Sequence, residues 1–393
     1  MYQIKGVIQH YEWGGKTFLP ALLNISNDKE LPFAEYWLGV HPSGSSTVHL
    51  SAGASTSLPS LIQSDKPMHL GNAVWKAFNT LPFLLKVLDV RSMLSIQVHP
   101  NKQDAEKGFA REQSLGIPID APHRNYKDAN HKPEVMIALS EFWLLHGFAA
   151  NIQERMASRP FLQPFIPYFE KDGIKGLYSH LMEMPQAQVD QVLEQYLRDI
   201  ASQYHEGQIE KKDPDFWAAR AFLHAPEKID RGIFSIYLFN ILRLLPGEAI
   251  FQGARMPHAY LEGQNIELMA NSDNVLRAGL TPKHMDIPEL LANTDFVETI
   301  PNIITRIFNN GWQEYPCPTK DFSIASRKLG VGETLECQFT APSILLILTG
   351  KGFWGSHPDH QFQGTHAFYV DPHSPVRLHA TEETLMFRAS VPL

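Results

Sequence analysis

Two side chains able to bind a metal ion lie two positions apart in a short alternating segment at 95–100. Gln97 and His99 alternate there with Ile96 and Val98, a pattern that predicts a β-strand. Because successive side chains of a strand point to opposite faces, the amide and the imidazole would project from one face and the aliphatic groups from the other. An ordinary polar strand face has the same pattern, so this segment alone does not define a site.

A second candidate cluster lies at 126–134, where an imidazole, an ammonium group and a carboxylate occur at His131, Lys132 and Glu134. The residue before a proline favours an extended backbone, and in an extended chain Lys132 and Glu134 share a face. Glu134 would then bind a cation while Lys132 faces the same cavity. The alternative interpretation is a solvated charged loop.

The third and longest segment, 258–283, begins with His258 directly after a proline, at the edge of a predicted strand. The segment is dense in Asn, Ser and Gly and contains Asp273, Arg277 and Lys283. This composition is typical of a loop that lines a site, although an ordinary polar surface loop has a similar one.

Together, Gln97, His99, Glu134 and His258 offer two imidazoles, a carboxylate and an amide oxygen. Two imidazoles and a carboxylate suit zinc with one coordination position open for water or substrate, as in catalytic rather than structural zinc sites. Because glutamine is neutral, the site would keep a net positive charge. That charge favours a substrate oxygen that becomes more negative during the reaction, as in an enediolate.

The segments around these residues predict a protein built mainly of strands. Residues 84–90 form an apolar run typical of a buried strand, and 249–251 and 256–261 predict two further strands. Up to about residue 150 we expect short strands with one or two helices, at 57–63 and 71–79.

From residue 151 the apolar pattern changes to a helical period, and between 189 and 200 it follows one stripe of an amphipathic helix. We therefore predict a mainly β protein with inserted helices. Its first β domain would comprise 1–150 and 232–315, interrupted by a helical insertion at 151–231. Short strands such as 343–348 predict a separate, smaller C-terminal β domain at 316–393.

The composition excludes several classes of protein. The 393 residues carry a formal net charge of −8, and an acidic chain without a basic tail does not fit a general nucleic-acid binder. Two cysteines, Cys317 and Cys337, are too few for a disulfide framework or a thiolate metal cage. The most apolar stretch, 233–245, is too short and too polar to span a bilayer. We expect a cytoplasmic protein that acts as a monomer.

The segments 95–100, 126–134 and 258–283 resemble the signature segments of the type I phosphomannose isomerases. Shorter segments at 11–14, 35–39 and 82–88 are similar to that family as well, and the likeness extends over roughly 6–146 and 232–300. The helical stretch and the C-terminal part match in position and general character, so no functional residue is assigned there.

The resemblance implies a cupin-type β-barrel or jelly-roll core, an inserted helical domain and a smaller C-terminal jelly roll. It implies one Zn²⁺ per chain, held by Gln97, His99, Glu134 and His258, and it places the active-site arginine at Arg277. The implied reaction is the interconversion of mannose 6-phosphate and fructose 6-phosphate.

Such a reaction moves a proton between C1 and C2 through a cis-enediolate, so it needs an acid–base group among the matched residues. Lys132 is our candidate base or its electrostatic partner, and Asp273 is the competing base, or a residue that orients Arg277. His131 is a candidate for assisting ring opening. Arg277 would stabilise the developing negative charge.

Four further residues are candidates for substrate binding. Lys283 or Lys86 would bind the 6-phosphate by a charge-assisted contact, and Trp13 would form a wall against the sugar ring. Glu267 stays a candidate for either substrate binding or proton transfer. An ordinary core aromatic and an ordinary strand-edge lysine are the alternative interpretations of Trp13 and Lys86.

Two other functions fit parts of this pattern. A non-catalytic cupin could bind a sugar phosphate without turning it over, although a pure binder has less reason to combine four ligands with Arg277. An iron dioxygenase also uses two histidines and a carboxylate, but Gln97 as a fourth ligand would leave fewer positions for O₂ and substrate.

Overall fold

The computed structural model describes residues 1–50, 53–355 and 360–393. It confirms the prediction of a mainly β protein with helices. The strands are β1 (Tyr2–Lys5), β2 (Val7–Gln9), β3 (Glu35–Gly39), β4 (Thr47–His49), β5 (Ser55–Ser57), β6 (Phe83–Val90), β7 (Gln97–Val98), β8 (Glu134–Ala138), β9 (Phe142–Phe148), β10 (Phe239–Leu244), β11 (Ala249–Gln252), β12 (His258–Ala270), β13 (Leu276–Arg277), β14 (Ile307–Asn309), β15 (Trp312–Tyr315), β16 (Ser323–Leu329), β17 (Thr334–Gln338), β18 (Ser343–Thr349), β19 (Lys351–Trp354), β20 (Gln361–Gln363), β21 (His366–Val370), β22 (Pro375–Ala380) and β23 (Thr384–Ser390).

Ten α-helices occur in the described residues, together with a short 3₁₀ helix at Gln163–Phe165. They are α1 (Phe18–Leu22), α2 (Leu58–Ser64), α3 (Lys66–Phe78), α4 (Lys102–Ser114), α5 (Ile152–Ser158), α6 (Ile166–Glu183), α7 (Gln186–His205), α8 (Pro214–His224), α9 (Ile233–Leu238) and α10 (Ile287–Ala292). Across these helices, we find none that combines the length and the apolar character needed to cross a membrane.

The long strand β12 organises the ten-stranded sheet that carries the predicted ligands. Its first residues pair with β9, and from Gly263 onward it pairs with β6 and β8 instead. Gly263 has φ +130, a conformation that side-chain-bearing residues rarely adopt, and the pairing shifts register between Tyr260 and Glu262. The strand therefore changes partners at this bend and joins the two halves of the sheet.

This strand corrects one prediction. We expected a site-lining loop to follow a short strand at 256–261, but one strand runs over residues 258–270 and the loop begins only at Asn271. Of the residues that suggested a loop, Gly263 and Asn265 lie on this strand, which is buried along most of its length. Burial within the sheet outweighs the weak strand preference of these residue types.

The helices between β9 and β10 pack against the outer face of β7. Ile96 and Val98 are fully buried in the same apolar cluster as Leu197 and Trp217 of helices α7 and α8. This contact fixes the orientation of β7. Its apolar side chains must point toward the helices, and its polar side chains must point away from them. The predicted alternation at 95–100 is confirmed in this sense.

The nine-stranded sheet combines both ends of the chain. It contains β1, β4 and β5 from the N-terminal part, and β14, β15, β16, β18, β21 and β23 from the C-terminal part. A four-stranded sheet, β17-β22-β19-β20, lies beside it and shares an apolar cluster with its inner face. The predicted domain boundaries stay a prediction.

The first 150 residues contain four helices rather than the expected one or two. Helix α4 is the clearest omission, because its sequence is highly polar and shows little apolar periodicity. The helix starts at Asn101, whose side chain accepts a hydrogen bond from the Asp104 amide, a typical N-terminal cap. Its buried face meets the Tyr126 ring at Gly108, and so supports the segment that leads to Lys132 and Glu134.

We predict that Gly108→Ala destabilises the protein although alanine favours helices. A Cβ at Gly108 would lie 2.3 Å from Cε2 of Tyr126, and this buried ring is held by its hydroxyl, which donates to Glu289. Overpacking of about 1–3 kcal/mol should exceed the helix gain of about 1 kcal/mol. Urea denaturation should show a lower free energy of unfolding. Gly330→Ala is the control, since its nearest neighbours lie 3.6 Å or more away; a Gly108→Ala protein more stable than wild type would contradict this packing.

Candidate metal centre and active site

Three predicted metal ligands meet on the ten-stranded sheet. Nε2 of His99 lies 3.4 Å from Oε1 of Glu134, and Nε2 of His258 lies 3.3 Å from Oε2 of the same carboxylate. One ligand atom from each residue lies within 4.8 Å of the others, and all three residues are buried. The side chains come from the end of β7, the start of β8 and the start of β12, so the sheet pairing sets their separation.

The outer nitrogen of each imidazole is held by a backbone carbonyl. Nδ1 of His99 lies 2.9 Å from the Asn274 oxygen, and Nδ1 of His258 lies 3.0 Å from the Met256 oxygen. A carbonyl can only accept, so we assign the proton to Nδ1 in both rings. Burial lowers the pKa of His99 to about 4, so this ring is neutral at pH 7 and its Nε2 lone pair faces the Glu134 carboxylate.

This arrangement fits a metal ion. Two nitrogen lone pairs and a carboxylate directed at one point repel each other unless a cation lies between them. In agreement, Nε2 of His99 is a buried polar atom for which the described part of the chain offers no hydrogen-bond partner. Imidazoles whose Nδ1–H is fixed by a backbone carbonyl are the usual zinc ligands, because the outer hydrogen bond sets the tautomer and the ring orientation.

Gln97 lies next to this cluster through the sheet register. It is the direct cross-strand partner of His258 on one side and of Arg277 on the other. Directly paired residues point to the same face of a sheet, so the amide projects with the imidazole and the guanidinium. The register thus brings Gln97 beside the three ligands, as the sequence predicted.

Lys132 contacts the carboxylate that the imidazoles share. Its Nζ lies 3.1 Å from Oε1 of Glu134. Burial alone would raise the pKa of the Glu134 carboxyl, but the Lys132 ammonium and His99 hold it well below its usual value. The carboxylate is therefore charged at neutral pH, and Lys132 lies at the metal cluster.

Lys86 belongs to a second buried group beside the first. Its Nζ lies 2.9 Å from Oε1 of Glu267 and 3.5 Å from Oε2 of Glu35, and it lies over the Trp37 ring at 5.3 Å. Burial would lower the pKa of this amine, but Glu267 and Glu35 raise it well above the usual value. Lys86 therefore stays charged, and its contacts are with these carboxylates.

Arg277 and Lys283 form a cationic rim together with Lys127, which the sequence reasoning missed. Burial lowers the pKa of Lys283, and the neighbouring charges of Arg277 and Lys127 lower it further. Burial also lowers the pKa of Arg277. In the described part of the chain, no acidic side chain forms an ion pair with any of these three groups. A cluster of like charges without carboxylates suits an anionic ligand.

Three other predicted residues make their recorded contacts with groups other than the candidate ligands. Nε2 of His131 lies 2.9 Å from Oδ2 of Asp321. Asp273 contacts His41 at 3.5 Å and does not pair with Arg277 in the described chain.

The third of these residues is Trp13. It packs against an apolar cluster and stacks on Tyr11 with ring centroids 5.9 Å apart. The ring at the exposed end of this pair is Tyr11, which is 41% exposed. The pKa of Tyr11 is raised by burial and then by Glu35, so this ring lies near the Lys86 group.

Sequence reasoning missed the residue that connects the separate segments of the site. The Asn274 side chain accepts from the Lys127 and Asp128 amides and donates to the Asn130 oxygen, while its own carbonyl holds His99. One fully buried asparagine thus ties the loop after β12 to both ligand-bearing segments. A single asparagine in a polar stretch carries no sequence signal for this role.

Other missed residues face the same interior. His41 is buried beside Trp37, and its pKa is lowered first by burial. His146 is the cross-strand partner of His258, and its Nδ1 lies 3.0 Å from the Gln252 amide oxygen. The Tyr260 hydroxyl is buried without a hydrogen-bond partner. For His146 and Tyr260, alternation with apolar residues in β9 and β12 was the one available sequence signal.

The comparisons with known proteins agree with this geometry. The family profile described as "Phosphomannose isomerase type I, catalytic domain" matches residues 1–151. The chain is 38% identical over 385 residues to a mannose-6-phosphate isomerase of Escherichia coli, covering 96% of each chain. It is 34% identical to the enzyme of that name from Mus musculus, covering 89% of this chain and 88% of the relative.

Solved structures match over the whole chain. A phosphomannose isomerase mutant from Salmonella typhimurium superposes with a TM-score of 0.88 at 34% identity, covering 100% of both chains. A structure described as zinc-bound mannose 6-phosphate isomerase superposes with a TM-score of 0.86 at 34% identity. These matches confirm the predicted cupin-type fold, and from them together with the sequence identity we conclude that this chain belongs to the mannose-6-phosphate isomerase (type I phosphomannose isomerase) family.

Proposed function

We propose that this protein is a zinc-dependent isomerase that interconverts mannose 6-phosphate and fructose 6-phosphate. The observation that carries the proposal is the buried cluster of His99, Glu134 and His258, with the carboxylate facing both imidazole Nε2 atoms. Family membership supplies the substrate pair. The predictions that the chain acts as a monomer, lies in the cytoplasm and binds no nucleic acid stay predictions.

In this proposal, Gln97, His99, Glu134 and His258 hold one Zn²⁺. When bound there, zinc supplies Lewis-acid stabilisation of negative charge on the substrate oxygens. Lys132, 3.1 Å from Glu134, would act as the base in its neutral form: it would take the proton from C2 of mannose 6-phosphate and return it to C1, while the O2 proton moves to O1, which gives fructose 6-phosphate. The species between these two transfers is a cis-enediolate, in which the C2–H bond is broken and C1 and C2 share a double bond.

Arg277 would stabilise the negative charge of this enediolate. It lies on the strand next to Gln97 and has no acidic partner in the described chain to neutralise it. Asp273 remains the alternative base, although its carboxylate contacts His41 and its side chain is 43% exposed. His131 would assist ring opening from its position beside Lys132, with Asp321 holding its ring.

The 6-phosphate would bind at the Lys283 and Lys127 part of the cationic rim, which leaves Arg277 for the enediolate. Lys86 suits this role less well, because its buried ammonium already pairs with Glu267 and Glu35. Glu267 would fix Lys86 rather than contact the phosphate. Since Trp13 is partly buried against an apolar cluster and Tyr11 is 41% exposed, Tyr11 is the better candidate for a contact with the sugar.

We predict that Glu134→Gln removes both zinc and activity. The purified wild-type protein should contain about one zinc per chain by elemental analysis. The amide would replace the anionic ligand by a neutral one. Loss of a residue that hydrogen-bonds to a metal ligand typically lowers metal affinity roughly 10–100-fold, and loss of the charged ligand itself should lower zinc affinity by more than that. Glu267→Gln, at a buried carboxylate that pairs with Lys86 instead, should keep its zinc. Full zinc content and full activity in Glu134→Gln would contradict this metal site.

A coupled assay with mannose 6-phosphate tests the function itself and separates it from the two other candidates. An isomerase turns the sugar phosphate over, and chelation of the metal stops turnover. A binding protein would bind the sugar phosphate tightly without turnover. An oxygenase would consume oxygen. Either of the last two results would overturn the proposal.

For proton transfer, we predict that Lys132→Met lowers kcat much more than it changes KM. Loss of a general acid–base group typically costs ~10²–10⁴-fold in rate, whereas loss of binding alone raises KM. The variant should retain zinc, which elemental analysis checks. Lys107→Met, at an exposed lysine on helix α4, is the control and should match wild type. A Lys132→Met enzyme with wild-type kcat would assign the base to Asp273.

For phosphate binding, we predict that Lys283→Met raises KM about 3- to 10-fold with little change in kcat. Lys283 is exposed, so solvent screening limits its contribution to a modest range. The effect should shrink as salt is added, because the attraction between surface charges is screened. Steady-state kinetics at low and high ionic strength measures both. A fall in kcat at unchanged KM would instead place Lys283 in the chemical step.

A further inference from the structure

A cavity in the C-terminal β region contains two arginines that face inward between two sheets. The cavity has a volume of about 690 Å³ and is lined by strands β15, β16, β17 and β23, a size typical of ligand sites. Arg388 of β23 pairs with Ala325 of β16, two positions before Arg327, so both arginines lie on the same face. This is the face that also contributes Trp312 to the apolar cluster between the sheets.

The two guanidinium groups are oriented by aromatic rings. The Arg388 guanidinium lies 5.1 Å from the centroid of Trp312 and 5.2 Å from that of Phe339, and the Arg327 guanidinium lies 6.0 Å from Trp312. Contacts of this kind hold a cation over a ring face. Both rings are buried, and the two arginines contribute the positive charge of the cavity lining.

Their positive charges are poorly neutralised. The one acidic partner of Arg388 in the described chain is Glu314, at a long 3.9 Å, and that carboxylate also accepts from Asn309. The Arg327 guanidinium donates to the Asn310 carbonyl, and no carboxylate pairs with it within the described ranges. Glu336, which also lines the cavity, is paired with Arg377 instead.

Arg388 in addition has an unused donor. Its Nε is buried without a hydrogen-bond partner among the described residues, and its side chain is 22% exposed. Burying a guanidinium without a full set of acceptors costs free energy, and arginines on the inner face of a β-sandwich are unusual for that reason. A bound anion would supply both the missing acceptors and the missing negative charge.

We propose that this cavity is a second binding site, separate from the metal cluster, for the phosphate group of a small phosphorylated metabolite. Two guanidiniums match the two negative charges of a phosphate monoester and can bind its oxygens in pairs. The site does not depend on the reaction proposed above, because it shares no residue with the predicted metal ligands or the cationic rim.

Cys337 provides a local probe of occupancy. It lies on β17 at the cavity wall and packs partly buried against the cluster between the sheets. The other cysteine, Cys317, lines a different groove, so it serves as an internal control in the same molecule. The rate at which neutral methyl methanethiosulfonate modifies each thiol can be followed by peptide mass spectrometry.

The experiment measures protection of Cys337 at constant ionic strength in the full-length protein with inorganic phosphate, mannose 6-phosphate or mannose. Phosphate or mannose 6-phosphate should slow modification of Cys337 in a saturable way, with Cys317 unaffected and mannose without effect. Comparison of the two phosphates shows whether the site takes free phosphate or an organic phosphate. No protection by either phosphate, or equal protection by mannose, would overturn the proposal.

Variants test the role of the arginines. Arg388→Met and Arg327→Met should each raise the phosphate concentration for half-protection about 10-fold or more, as expected for loss of a charge-assisted contact. The half-protection concentration is used because either substitution can change the intrinsic reactivity of Cys337. Lys328→Met is the matched control, since this exposed neighbour of Arg327 points away from the cavity. Unchanged half-protection in both arginine variants, with folding verified by circular dichroism, would also overturn the site.

Discussion

The free-energy cost of burying the Glu134 carboxylate determines which charged groups surround it and what the candidate site can bind. Burial of a charge is costly unless opposite charge or a metal compensates it. Three carboxylates, Glu35, Glu134 and Glu267, are buried there with two ammonium groups, Lys86 and Lys132. These side chains leave one negative charge uncompensated. A bound divalent cation would therefore make the net charge of the buried group positive. The site therefore favours a metal when empty of substrate, and an anionic substrate once the metal is bound.

The sheet fixes this charge arrangement because the groups come from distant parts of the chain. The cross-strand pairs of His258 with Gln97 and of Glu267 with Lys86 place partners opposite each other through backbone hydrogen bonds. Both histidine and glutamate lie on the one long strand β12, on either side of its bend at Gly263. A single strand thus joins the metal cluster to the Lys86 group, so a shift of its register would disrupt both.

Local pattern was sufficient to predict the directions of the candidate ligand side chains and insufficient to predict what holds them. The alternation around His99 and the position of Lys132 before a proline predicted side-chain directions that the structure reproduces. The sequence carries no local sign that Asn274 would connect His99 to the segment at 127–130, because that contact depends on the pairing of strands far apart in sequence. Helix α4 was missed for a different reason, since its few buried residues leave no apolar period to recognise.

The same rule of charge compensation distinguishes the two halves of the molecule. Two buried carboxylates elsewhere in the described chain each contact an arginine: Glu112 contacts Arg124, and Asp215 contacts Arg159. At the barrel end, an excess of carboxylates points to a cation. In the C-terminal cavity, Arg388 has the opposite deficit, because its buried Nε lacks an acceptor and its one carboxylate partner is distant. In both places the uncompensated charge indicates the sign of the group that would compensate it: a cation beside the carboxylates and an anion beside the guanidiniums.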